Sequence, residues 1–155
     1  CQGSSTLYCA VLYADLNVTE RVNHSMPVGY VPAGMDATIA TPYIDFKFEN
    51  STGYPLKIEA SAAGGTMKIR LLGIDTDPSK EIVITNKKIE TIPFETKEVE
   101  TDKLPKDEKK IKQNGSDGSV VETYKTVKIG GAEQSTVKIT TSRYAQIPKI
   151  VETGK

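Results

Sequence analysis

Cys1 and His24 are the residues with the most distinctive chemistry in this chain of 155, since a thiol opens the sequence and its one imidazole follows shortly after. A thiolate is the reactive form of cysteine, and the positive potential at a helix start favours it. Leu7, Ala10, Val11 and Ala14 fall at i, i+3, i+4 and i+7, which predicts a helix just after Cys1 with Ser4 or Ser5 as its cap. Cys1 then reads as a candidate nucleophile and His24 as a candidate general base and acid, because an imidazole exchanges protons near neutral pH. Both have plainer readings. Cys1 could be an ordinary terminus, or the lipid-bearing first residue of a cleaved bacterial lipoprotein precursor. His24 could be a solvated or satisfied loop residue ahead of Pro27. Cys9, on the same helix, reads as a small buried hydrophobe. Eight residues of helix rise ~12 Å, too far for a bridge to Cys1.

The elements that must position these residues are mostly strands. Residues 1–75 carry 5 basic and 7 acidic side chains, and residues 76–155 the remaining 15 and 13 of the 20 and 20 in the chain. The second half is the more densely charged, with alternating segments such as Thr136-Val137-Lys138-Ile139-Thr140. Such alternation places apolar groups on one strand face and charges on the other. In the first half, Val18 to Val22, Ala37 to Ala40, Asp45 to Glu49, Leu56 to Ala60 and Met67 to Leu72 are each expected as strands. Gly64-Gly65 sits where a hairpin turn needs positive φ. Asp75 to Pro78 reads as a linker. The expected fold is mainly β (α+β), with a short N-terminal helix and antiparallel strands.

Seven Tyr, three Phe and no Trp imply a modest core. A net charge of zero supplies no global field toward nucleic acid or an anionic membrane. No stretch approaches the ~18 to 20 apolar residues of a spanning helix. With neither an initiating Met nor a signal peptide, the chain reads as a processed product or an excised part of something longer, its parent anchored in a membrane upstream.

Cys1-Gln2 with Ser4-Ser5-Thr6-Leu7-Tyr8, then Glu20-Arg21, His24-Ser25, Tyr30-Val31-Pro32 with Gly34, Asp36-Ala37-Thr38, Phe46-Lys47-Phe48 and Asn50 resemble the later half of a VanW domain, over about residues 1–74. Departures fall at Gly3, where Val is more usual, and at Cys9, where Asn is common. VanW domains are extracytoplasmic bacterial modules named from a vancomycin-resistance cluster, and some are implicated as L,D-transpeptidases that cross-link peptidoglycan through a cysteine. The resemblance implies Cys1 as the nucleophile, His24 as base and acid, and Asp36 as the residue that orients His24. Ser25 and Tyr30 are alternative partners for the ring, and Asp36 is equally plausible as a turn residue entering a strand.

Gln113 to Gly118, Val120 to Lys128 with Gly130-Gly131, and the ending Pro148 to Lys155 resemble the five-glycine (G5) domain of bacterial surface proteins, over about residues 79–155. Ile92-Pro93-Phe94-Glu95-Thr96 and Leu104-Pro105-Lys106 match its earlier portion, and Asp107 stands where the family often has glycine. The resemblance implies an elongated, largely single-layer β-sheet domain that binds N-acetylglucosamine-containing glycan. Phe94, Tyr124 and Tyr144 could stack on sugar rings or pack within a thin sheet. Some members associate through zinc, but residues 76–155 hold neither His nor Cys, so neither a metal nor another cofactor is expected. The Gly115-Ser116-Asp117-Gly118 run lacks the Lys-Ser/Thr pair of a phosphate loop and is expected as a hairpin turn.

These observations imply a cell-wall-associated protein of a Gram-positive bacterium that binds peptidoglycan or a related glycan. A cysteine L,D-transpeptidase and an adhesive spacer without catalysis are the alternatives.

Overall fold

The computed structural model describes residues 1–155. Helix α1 spans Gln2–Tyr13, with Cys1 as its N-cap and no side chain capping the first turn. Ser4 and Ser5, expected as caps, instead lie inside the helix on its buried face with Tyr8, Val11 and Leu12. That face is rotated from the expected Leu7/Ala10/Val11/Ala14 stripe because the serine hydroxyls find a buried partner in the Ala37 carbonyl, at 2.6 Å from Ser4 Oγ and 3.3 Å from Ser5 Oγ. Short polar side chains can thus occupy a helix interface. The helix ends in a Schellman turn, with Asp15 at φ 57° and the Leu16 N–H donating to Val11 O at 3.2 Å.

Strand β1 (Asn17–Glu20) pairs antiparallel with β2 (Lys47–Glu49). Strands β3 (Lys57–Ala63) and β4 (Thr66–Leu72) form a hairpin turned by Gly64 and Gly65, whose φ of 58° and 77° no β-branched residue adopts readily. Ala37 to Ala40 does not form the expected strand. Ala40 makes an isolated bridge to Ile44, while the Asp36 carbonyl accepts from Arg21 Nε and the Ala37 N–H and carbonyl are taken by Ser5 and Ser4 of α1.

In the second half, β5 (Lys80–Ile92), β8 (Gly118–Ile129) and β9 (Ala132–Tyr144) form a long antiparallel sheet with β8 central. A second sheet places β10 (Lys149–Gly154) between β6 (Thr96–Thr101), to which it is parallel, and β7 (Lys109–Gln113), to which it is antiparallel. Residues 114–117 therefore join two sheets and are not the expected hairpin turn. Outward strand positions such as Val99, Ile111 and Val137 remain exposed, as a single-layer sheet requires.

Only 18 of 155 residues are buried, so the position of that small core decides where rigidity resides. Tyr8, Leu12, Met35 and Ala37 form its main cluster, with Ile84 of β5 and Ile139 of β9 packed against it. The two halves of the chain thus share one core. Asp15 adds an ionic clasp beside it, with Lys80 and Lys125 each at 2.6 Å.

Candidate functional site

Asp36 is the centre of the site. Its side chain is 1 % exposed, and its Oδ2 lies 2.7 Å from both the backbone N and the Nδ1 of His24. A carboxylate only accepts, so the shared proton belongs to Nδ1, which in the neutral ring leaves the lone pair on Nε2. Oδ1 accepts from the Tyr144 hydroxyl and lies 3.6 Å from Arg21 Nη2. Burial pushes the Asp36 carboxyl up, but the donors from Tyr144 and His24 and the Arg21 charge outweigh it, and the group sits below its ordinary range. Burial, then the bond to Asp36, pushes the Tyr144 phenol up to about 12, so Tyr144 remains a donor at any physiological pH.

Arg21 explains how a buried carboxylate stays charged. Its guanidinium lies 4.9 Å over the Tyr8 ring and donates to Asp36 O at 2.8 Å, Gly34 O at 3.2 Å and Ser142 Oγ at 2.8 Å. The ion pair is therefore closed on every side by donors and acceptors, the condition under which burying charge is tolerable. The His24 ring is 18 % exposed at the rim of this network, edge-on to Tyr30 at 6.5 Å between ring centres.

Cys1 is exposed, and its Sγ lies 3.6 Å from the Ile39 carbonyl. No hydrogen bond joins it to His24. The two are related through residues 36–39: Asp36 holds His24, Ala37 holds the first turn of α1, and Ile39 meets Cys1. That segment can extend no more than about 11 Å. Because Cys1 is an uncapped N-cap, the first amide N–H groups of α1 lack intrahelical partners beside the thiol. Cys9 is half-buried with its Sγ 3.5 Å from Met35 O, and burial, then the Asp36 charge, pushes its thiol up. Both cysteines are free thiols.

The aromatic candidates of the second half separate. Phe94 is 39 % exposed and rests on Gly115, where an added Cβ would come within 2.2 Å of the ring. Tyr124 is half-buried and donates to Glu122. Tyr144 is fully buried and its hydroxyl is held by Gly34 N–H at 2.7 Å as well as by Asp36, so it offers no face to a sugar, correcting the expected stacking role. No cluster of three or more His, Cys, Asp or Glu is present. Arg21, one of two arginines in the first half, stands in a motif block but carries no chemical signal of its own in the sequence. The role of Tyr144 had no local signal, since its partner is 108 residues away.

Two family models match separate stretches of the chain. Residues 1–72 match the family model described as VanW like protein, and residues 83–155 match that of the G5 domain. The uncharacterized protein YoaR of Bacillus subtilis (strain 168) is 42 % identical over 80 residues, which cover 52 % of this chain and 26 % of YoaR. The chain thus spans about a quarter of that relative's length. Among solved structures, the G5 domain of an IgA1 protease is 28 % identical, with a TM-score of 0.35, over 49 % of this chain and 92 % of that one. The G5 domain of HP0197 is 21 % identical, with a TM-score of 0.28, over 48 % and 99 %. The chain carries a VanW-like region, residues 1–72, followed by a G5 domain, residues 83–155.

Proposed function

We propose that this chain belongs to an exported, cell-wall-associated protein whose VanW-like region performs thiol-dependent acyl transfer on peptidoglycan stem peptides, as an L,D-transpeptidase, while its G5 domain contacts the glycan. The observation that carries the catalytic reading is the buried Asp36 holding His24 at 2.7 Å with Nε2 free, on the same short segment that meets the Cys1 thiol. A base oriented by a buried carboxylate is one half of the arrangement that nucleophilic acyl transfer requires, and the thiol is the other.

In this reaction Cys1 leaves the Ile39 carbonyl and gives its proton to His24 Nε2, directly or through one water. The thiolate adds to an amide carbonyl of the donor stem, and the first-turn N–H groups of α1 receive the oxyanion. The amine leaves with the proton from His24, and a thioester remains on Cys1. An acceptor amine then attacks the thioester, loses its proton through His24, and restores the thiol. One amide is broken and one formed, with no oxidant or metal needed.

The test is cross-link formation between purified tetrapeptide stems by the whole protein. Cys1→Ser and His24→Gln are each expected to reduce it by at least 10²-fold, the scale of losing a nucleophile or its base. Unchanged cross-linking in Cys1→Ser would sink the catalytic reading. The glycan contact is favoured by a separate observation, the exposed Phe94 ring seated on Gly115. Retention on insoluble peptidoglycan is expected to weaken in Phe94→Ala, and equal retention would count against that surface.

A further inference from the structure

We infer that Tyr144, supplied by the G5 domain, is a positioning residue for the His24–Asp36 pair, so that the VanW-like region has an ordered acid–base pair only when the G5 domain is docked on it. The inference rests on the proposed role of His24 as base and names what controls it.

The end of β9 touches the His24 loop at successive residues. Asn23 Nδ2 donates to Arg143 O at 2.9 Å, and Ala145 N–H donates to Ser25 O at 2.7 Å, so the residues on both sides of His24 are tied to the strand end. Between those ties Tyr144 reaches inward, accepts the Gly34 N–H and donates to Asp36 Oδ1. Ser142 and Thr140 of the same strand accept from Arg21 Nη1, at 2.8 and 3.4 Å. Thr123 of β8 donates to Gly34 O at 3.3 Å. Three backbone groups (Ser25 O and the N–H and carbonyl of Gly34), the Asn23 amide, one carboxylate and one guanidinium around the candidate base thus have partners in the second half of the chain. Tyr144 and Ser142 are both 0 % exposed, so bulk solvent does not compete for these bonds while the two halves are docked.

Without the Tyr144 hydroxyl, Asp36 Oδ1 keeps only Arg21 at 3.6 Å, longer than a good hydrogen bond. The carboxylate can then rotate and hold Nδ1–H less tightly, and the imidazole samples both tautomers. A base in the wrong tautomer presents a proton to the thiol rather than a lone pair. Misplacement of this kind lowers turnover without altering substrate affinity.

The experiment uses the ring nitrogens of His24, whose NMR signals are unambiguous because the chain has no other histidine. In Tyr144→Phe, the ¹⁵N shifts are expected to move from the Nδ1–H form toward a mixture of tautomers. The kcat of cross-linking is expected to fall on the order of tenfold with KM unchanged. Unchanged ring shifts in a folded Tyr144→Phe protein would overturn the inference. If that variant fails to fold, 3-fluorotyrosine at position 144, a stronger donor of nearly the same shape, is expected to shift the His24 Nδ1 proton resonance, and no shift would overturn it equally. Altered ring shifts together with cross-linking that survives Cys1→Ser would leave the positioning role standing and remove the acyl-transfer reading, so the two fail separately.

Discussion

Asp36 concentrates the energetics of this protein in one side chain. It is buried with Arg21, whose side chain is 5 % exposed, and removing one member of such a pair leaves the other uncompensated. Asp36→Ala is expected to cost about 3–5 kcal/mol, read from urea unfolding. The pH dependence follows from the direction of its shift. The folded carboxyl lies below its unfolded value of about 4, so its contribution is fully present above that value and is lost as pH falls through the lower folded one. Asp36→Asn should flatten this acid limb, and an identical limb in both proteins would show that the stability lies elsewhere. The motif blocks pointed to Asp36 beside His24, but an alternative with Ser25 or Tyr30 could not be set aside from sequence. What decides it is the tertiary approach of residues 34–36, and Arg21 and Tyr144, which make that approach tolerable, are matched across sequence distances that no periodicity reports.

The elements show the same division between local and long-range signals. The β3–β4 hairpin was legible because two glycines with positive φ between alternating segments leave little else to form. The start of α1 was less so: the serines that resemble caps are taken by the Ala37 carbonyl, and the thiol of Cys1 is left at the helix end. Ala37 to Ala40 has the composition of a strand but no neighbouring strand to complete it. Gly34 marks where this loop meets the sheet, with φ 95° and room for only 2.7 Å between an added Cβ and Thr123 Oγ1. Gly34→Ala combines backbone strain with that clash and is expected to destabilise by about 1–3 kcal/mol. It is also expected to disturb the His24 resonances. A variant as stable as the parent would mean that the loop is not held as tightly as the contacts imply.

At the scale of the whole molecule, the composition break near Asp75 separates two patterns of sequence but not two cores. Ile84 and Ile139 pack on the cluster of Tyr8, Leu12, Met35 and Ala37, and Asp15 is clasped by lysines of β5 and β8. Calorimetry is therefore expected to give one transition for this core and the candidate site, whereas melting of residues 1–74 well before the β5–β8–β9 sheet would contradict a shared core. The division into family regions was readable from motif order. The contact between them was not, because it joins residues far apart in sequence, Ile84 and Ile139 at the core and Thr123, Ser142 and Tyr144 at the Asp36 network. On the proposed function, a site built across that contact couples glycan contact to acyl transfer. The most direct measurement of the central claim is the intact mass of the protein trapped during reaction with a tetrapeptide-stem donor. The expected result is one acyl adduct, mapped to Cys1 and absent in Cys1→Ser, with none on Cys9, whose thiol burial pushes up. An adduct that persists in Cys1→Ser, or cross-linked product formed with no adduct on Cys1, would contradict it.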